Sequence, residues 1–404
     1  MNNNRKIIEL NSEYFSRLLP FAGIFFLLCF SCTLNAQEIR LLFAGDAMQH
    51  KSQINHAFRN GEFDYSSYFQ YVKNEISGAD LAIVNLEGPL GGKPYKGYPQ
   101  FSIPDAFAVA LKDAGFSVFL TANNHAVDCY SKGIDRTIDV LDSLGVYHTG
   151  TFKNASDREQ KYPLIVEKKG IRMAFLNYTY DTNGINPEIP RIVNIIDTAL
   201  IMEDMRRTIR MNPDIVIAAM HWGQEYKLKP NKAQEELARF LINQGIDLII
   251  GSHPHVVQPS QFFTDPVVKN THLIVYSLGN FVSGMSAVNT DGGQMVSVTL
   301  KKENGKTQIN SCGNLLFYVQ QKKVNNSIDY MLIPVMLAEK SDTMLPDANR
   351  IELDILTYEK MMRFANNARS LFRQYNEGVN ELPFLNKQLK KDEFLKFLPL
   401  NFAF

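Results

Sequence analysis

With 404 residues, the chain is long enough for one large domain or two modest ones, with ample length to bury a core. Lys plus Arg and Asp plus Glu each number 42, so the formal net charge is zero. That balance excludes the basic field of a nucleic-acid binder and the acidic tail of a disordered chain.

Residues 1–36 read as a targeting segment outside the fold. Arg5, Lys6 and Arg17 precede an apolar run from Leu18 to Phe30, and Leu34-Asn35-Ala36 ends in the small residue that a signal peptidase needs before Gln37. The run falls short of the roughly 20 apolar residues of a spanning helix. A cleaved export signal is the first reading, an uncleaved membrane anchor the second, and lipidation at Cys32 a third. Without this segment only Cys129 and Cys312 are left, too few for a disulfide scaffold, and they are read as free thiols.

The body opens on a strand, Ile39 to Ala44, that stops at Gly45-Asp46. A helix with Tyr68, Phe69, Val72 and Ile76 on one face follows, then the strand Leu81 to Val84, which delivers Asn85-Leu86-Glu87. A third unit repeats the rhythm: helix Ala106 to Ala114, strand Ser117 to Thr121, then Asn123-Asn124-His125. The next helix runs from about Lys132 to Leu144. Such alternation predicts a largely parallel sheet with covering helices.

From Tyr162 the pattern becomes an antiparallel hairpin, Leu164–Val166 with Ile171–Leu176, followed by a loop from Thr179 to Ile192 that carries Asn183, Pro187 and Pro190 and is expected over a cleft. Alternation then resumes with helix Thr198–Arg210, strand Ile215–Ala219 ending at His221-Trp222, helix Lys232–Asn243 and strand Asp247–Ile250 ending at Gly251-Ser252-His253-Pro254-His255. Leu273–Tyr276 leads to Asn280. Gln294–Leu300, Leu315–Gln320 and Tyr330–Val335 read as antiparallel strands on the outside of a sandwich. Helical spacing from Ile351 to Tyr375 and a last stretch rich in Lys, Leu and Phe suggest a helical tail packed on the body.

The ends of these strands gather the polar chemistry of the chain: Asp46, Asn85 with Glu87, Asn124 with His125, His221, and His253 with His255. Each has a structural explanation alone, since Asp46 suits an N-cap, Glu87 a solvated loop, and His125 or His221 a satisfied core position. Their joint placement at strand carboxyl ends, where α/β proteins keep their sites, points to one site, and imidazoles with carboxylates point to a metal.

The order of these motifs resembles the calcineurin-like metallophosphoesterases, in which two metal ions are held by such a set. The wording of Gly45-Asp46-x-Met48, Asn85-Leu86-Glu87-x-Pro89-Leu90, Asn123-Asn124-His125-x-x-Asp128, His221-Trp222-Gly223-x-Glu225-Tyr226, Gly251-Ser252-His253-Pro254-His255 and Ser277-Leu278-Gly279-Asn280-Phe281 is similar to the CapA family of bacterial poly-γ-glutamate capsule synthesis proteins. The resemblance covers Ile39 to Phe281. It implies an α/β sandwich of metallophosphatase type with flanking helices and a mainly helical C-terminal tail, the domain spanning 37–340 and the extension 341–404.

It further implies that Glu87, Asn124, His221 and His253 hold one divalent ion and Asp46, Glu87 and His255 the other, the ions being manganese, iron or zinc. His50 and Asn85 are additional candidates. His125, with Asp128, takes the place of a general acid, and Trp222, Tyr226 and Asn280 that of a substrate cleft. The sequence departs from the phosphoesterase pattern at Met48, which replaces an imidazole ligand, with His50 the nearest substitute. Asn85 with Glu87 replaces a bridging aspartate, and Tyr130 stands where the CapA branch has glycine. The implied function is metal-dependent hydrolysis or transfer on an anionic polymer or phosphoester-type substrate, outside the cytoplasm in the periplasm or envelope. The other reading is a non-catalytic member of a complex with membrane-bound capsule synthase subunits.

Overall fold

The computed structural model describes residues 37–384, apart from 268, 325–326, 341–350 and 352. Residues 1–36, read above as a targeting segment, and residues 385–404 lie outside the described residues. In chain order the first half comprises β1 (Gln37–Ala47), α1 (Lys51–Ala57), β2 (Phe58–Arg59), β3 (Glu62–Phe63), α2 (Ser66–Phe69), α3 (Lys73–Ser77), β4 (Leu81–Leu86), α4 (Asp105–Ala114), β5 (Val118–Leu120), α5 (Tyr130–Leu144), β6 (Tyr147–Thr149), β7 (Thr151–Phe152) and α6 (Ala155–Lys161). There follow β8 (Leu164–Lys168), β9 (Ile171–Thr179), β10 (Ile192–Val193), α7 (Thr198–Arg210), β11 (Ile215–His221), α8 (Lys232–Asn243), β12 (Leu248–Ser252), β13 (Ser260–Thr264), β14 (Thr271–Val275) and β15 (Asn280–Val282). The chain ends with β16 (Gly292–Glu303), β17 (Lys306–Val324), β18 (Ser327–Pro334), α9 (Val335–Lys340), α10 (Ile355–Tyr375) and β19 (Asn380–Glu381).

The parallel strands fall into two sheets, as the implied α/β sandwich requires, whereas the strand–helix alternation alone suggested one. The first has the order β18-β17-β16-β1-β4-β5-β6, with β15 added beside β1 and β19 beside β17; the second has the order β13-β14-β12-β11-β9-β8. The physical reason is that the central strands are apolar on both faces. In β1 the odd-numbered Ile39, Leu41 and Phe43 meet Phe175, Ile217 and Leu248 of the second sheet in one core. The even-numbered Leu42 and Ala44 face Phe69, Ile76 and Phe107 of the helical layer. On the far side Leu176, Ala218 and Met220 pack against Ile201, Met205 and Leu241 of α7 and α8. The result is the α/β sandwich, two sheets face to face with helices outside each.

Two local expectations are corrected. The helix over Tyr68–Ile76 is two short helices, α2 and α3, although the same residues are buried. The antiparallel strand β16 is not on the outside, because it lies between β17, which it pairs along its length, and β1, which pairs its residues 296–302. The C-terminal helix α10 buries Met361, Phe364, Ala368 and Leu371 against Leu316 and Ile333. Among the described residues no helix is long and apolar enough to cross a membrane.

Candidate metal centre

The carboxyl ends of β1 and β4 meet those of β11 and β12 from the opposite sheet. Register in β1 shifts between Ala44 and Asp46, so Gly45 is a bulge that re-aims Asp46. Only glycine fits there, since a Cβ would stand 2.0 Å from the Gly279 carbonyl oxygen. The same close approach recurs at Gly251, whose Cβ would stand 2.0 Å from the Tyr276 carbonyl oxygen. Beyond it, His253 (φ +99°) and His255 (φ +59°) both adopt left-handed backbone, a conformation that costs a bulky residue about 1–3 kcal/mol and is kept where surrounding structure enforces it.

These turns bring the predicted residues together. Asp46 is fully buried; Oδ1 accepts from the Asn85 amide at 2.7 Å and Oδ2 from the His253 backbone N–H at 3.1 Å, with His255 Nδ1 3.3 Å away. His255 Nδ1 also lies 3.0 Å from Asn280 Oδ1, an acceptor, which fixes the proton on Nδ1 and leaves Nε2 as a lone pair 3.9 Å from Glu87 Oε1. His221 Nε2 lies 2.8 Å from Asn124 Oδ1 and 3.7 Å from Glu87 Oε1, and its other nitrogen lies 3.0 Å from Ser252 Oγ. The rings of His221 and His253 are 4.9 Å apart, with Tyr180 of the loop after β9 at 4.5 Å from His253.

Whether this set suits a cation is answered by Glu87. It is completely buried, and neither carboxylate oxygen has a hydrogen-bond partner. Such a group is expensive unless a positive charge joins it. Ligand atoms of Asp46, Glu87 and His255 lie within 4.8 Å of one another, a mixed oxygen and nitrogen set of the kind divalent transition metals accept. Burial, followed by the adjacent Asp46 charge, pushes the Glu87 carboxyl well above its ordinary range. Burial also raises Asp46, but hydrogen bonding to His255 and the His221 field outweigh it and hold the carboxyl at about 2. Burial, then the neighbouring imidazole, lowers His221 well below the usual range and His253 to about 3. Both rings are neutral at pH 7, which is the form that ligates metal.

Beside the cluster, His125 Nδ1 donates to Asp128 Oδ2 at 2.8 Å, and the same oxygen accepts the Phe101 backbone N–H at 2.7 Å. The ring of His125 meets Phe101 edge-on at 4.7 Å. Asn183, from the loop expected over the cleft, reaches both Asn124 (3.2 Å) and His125 (3.4 Å).

Several candidates sit elsewhere than the site requires. Met48 is buried in the apolar core of the first sheet. His50 stands at the N-cap of α1, its Nδ1 accepting from the Gly284 N–H at 3.0 Å, and burial lowers it to about 4; it is not in either group of ligand atoms found among the described residues. Trp222 does not line a cleft: it is 2% exposed, and its indole N–H donates to the Tyr276 carbonyl at 2.9 Å. Asn280 is fully buried and orients His255 instead of facing substrate. Tyr226 is 52% exposed, its ring 6.3 Å from His255. Tyr130, the residue in place of glycine, adopts φ +54°. Glu225, which lies in the His221-Trp222-Gly223-x-Glu225-Tyr226 motif, is a further acid at the site that the sequence did not single out. One of its oxygens falls within 4.8 Å of ligand atoms of both His253 and His255.

The family model for the bacterial capsule synthesis protein PGA_cap matches residues 40–285, more than half of the chain. The PGA biosynthesis protein CapA of Bacillus subtilis (strain 168) is 31% identical over 253 residues, covering 58% of this chain and 62% of that protein. The capsule biosynthesis protein CapA of Bacillus anthracis is 29% identical over 280 residues, covering 67% of this chain and 65% of that one. The chain thus spans just under two thirds of the length of these relatives. Among solved structures, the calcineurin-like phosphoesterase YfkN from Bacillus subtilis superposes with a TM-score of 0.43 at 13% identity, over 84% of this chain and 99% of that one. The matched region runs from β1 past β15 and contains every strand end of the cluster, and on that match the chain belongs to the bacterial capsule synthesis protein PGA_cap family.

Proposed function

We propose that this protein is an exported, metal-dependent hydrolase or transferase acting on a capsule or cell-envelope polymer of the poly-γ-glutamate type. The observation that carries the reading is the buried Asp46–Glu87–His255 cluster with an unpartnered carboxylate, adjoining neutral His221 and His253. Asp46, Glu87 and His255 would hold one cation, and Glu87, Asn124, His221 and His253 another. Manganese, iron and zinc all suit this donor set. When bound, such ions neutralise charge that develops on a phosphoryl or acyl oxygen. The chain's own contribution is positional: Asp128 accepts the Nδ1 N–H of His125, so that the imidazolium, carrying its second proton on Nε2, would pass that proton to a departing group, and Asn183 ties the covering loop to Asn124. The relatives' printed names support the polymer, and the basic and apolar N-terminal run supports export and envelope localisation.

The test is turnover of phosphomonoester, phosphodiester and γ-glutamyl substrates by protein loaded with manganese, iron or zinc. At least one class is hydrolysed or transferred, and His125→Ala lowers the rate by about 10²–10⁴-fold. Activity unchanged in a folded His253→Ala variant contradicts the reading. The apolar burial of Met48, where the phosphoesterase pattern has an imidazole ligand, favours a second one, a non-catalytic metal-binding component of a polymer synthesis or export complex. That reading predicts stable co-purification with membrane synthase subunits and no turnover on any of these substrates.

A further inference from the structure

Glu225 is an acid beside the histidine pair that the ligand sets above do not use. It is partly buried in the connection between β11 and α8, and one of its carboxylate oxygens lies with ligand atoms of His253 and His255 in a group of 4.8 Å span. An ordinary loop acid would sit in solvent on a segment able to move. This segment is pinned along its length. Trp222 N–H donates to the Ser252 carbonyl at 3.1 Å and Tyr226 N–H to the Pro254 carbonyl at 2.8 Å, so the segment runs beside the histidine turn. From behind, the buried Gln258 amide donates to the carbonyls of Lys227 (2.8 Å) and Lys229 (3.2 Å), while its oxygen accepts from Gln234 of α8 at 3.0 Å. Gly223 (φ +96°) and Tyr226 (φ +65°) bracket Glu225 in left-handed backbone, which for a tyrosine persists only under such enforcement.

A second observation points to a ligand at the same place. His253 is 3% exposed, and its Nδ1 is buried without a hydrogen-bond partner, although a metal-ligating or satisfied core imidazole normally engages both nitrogens. We propose that Glu225 is a metal ligand, closing with His253 and His255 the side of the centre that the buried carboxylates Asp46 and Glu87 do not reach. The inference rests on the reading that the cluster binds a divalent cation. It adds one carboxylate from a loop to a site otherwise built from strand ends, next to the exposed Tyr226, where a substrate would approach.

The experiment titrates Co(II) into the full-length metal-free protein and its Glu225→Gln variant, following affinity by calorimetry and coordination by visible absorption. Glu225 is only partly buried, so the variant keeps the circular dichroism and melting temperature of the metal-free parent. The expected result is an affinity loss beyond the roughly 10–100-fold of an outer-sphere partner, together with an altered cobalt spectrum at saturation. Wild-type affinity in Glu225→Gln overturns the proposal, and so does a weakened affinity with an unchanged saturated spectrum, which marks a charge effect without ligation. Those outcomes leave the metal-dependent reading standing. No cobalt uptake by the wild-type protein would overturn both.

Discussion

At the residue scale, the site depends on side chains that hold other side chains. Asn280 fixes the proton of His255 on Nδ1 by accepting at 3.0 Å, and its amide donates to the Thr290 carbonyl at 2.9 Å, so its orientation is set from outside the cluster. Asn280→Ala is expected to weaken metal binding by about 10–100-fold, because His255 Nδ1 then keeps only the longer contact to Asp46 and the ring is less firmly oriented. Isothermal titration of zinc into the metal-free variant measures this, and unchanged affinity would show that Asn280 does no more than fill space. The residues that the fold brings together were legible in the sequence, since Asp46, Glu87, Asn124, His221, His253 and His255 all follow apolar strand runs. The supporting roles were not, because a fully buried Asn280 and an exposed Tyr226 look alike in a motif. Their difference arises from position: Asn280 opens β15 inside the first sheet, whereas Tyr226 lies in the connection between β11 and α8.

At the element scale, strand ends approach one another so closely that two glycines are obligatory. Gly251→Ala would place a Cβ 2.0 Å from the Tyr276 carbonyl oxygen and 2.6 Å from the Trp222 indole nitrogen, so β12 would have to part from its neighbours. The expected cost is about 3 kcal/mol or more, read from the midpoint of urea unfolding, and a near-neutral change would contradict this packing. At the other end of the strands, Asp247 is partly buried where it accepts the Val216 N–H at 2.9 Å; burial raises its carboxyl to about 6, the hydrogen bond offsetting only part of that. The folded state therefore binds more protons than the unfolded one between roughly pH 4 and 6, and stability falls as pH rises through that window. Asp247→Asn keeps the acceptor and removes the ionisation. It is expected to stabilise the protein by about 1–2 kcal/mol at pH 8 and hardly at all at pH 4, as measured by unfolding at the two pH values. The periodic elements were legible: α8 begins and ends where its apolar spacing placed it, and α7 likewise. β15 has only three residues, too few to show a period.

At the scale of the whole molecule, sequence periodicity reports that a strand is buried on both faces but not what covers each face. For that reason the alternation alone suggested one parallel sheet where the sandwich has two, and β16 was expected on the outside of the sandwich although it lies inside the first sheet. The consequence is functional, because the cluster exists only where the first sheet's Asp46 and Glu87 meet the second sheet's His221, His253 and His255. The centre is thus a joint between the two halves of the sandwich, with a buried unpartnered carboxylate at its middle. Metal content measured by elemental analysis on the intact protein and on Glu87→Gln tests this most directly. At least one divalent ion per wild-type chain is expected, and a fall of about tenfold or more in a folded Glu87→Gln variant. A wild-type chain that takes up no ion, or a variant that keeps the wild-type content, would contradict it.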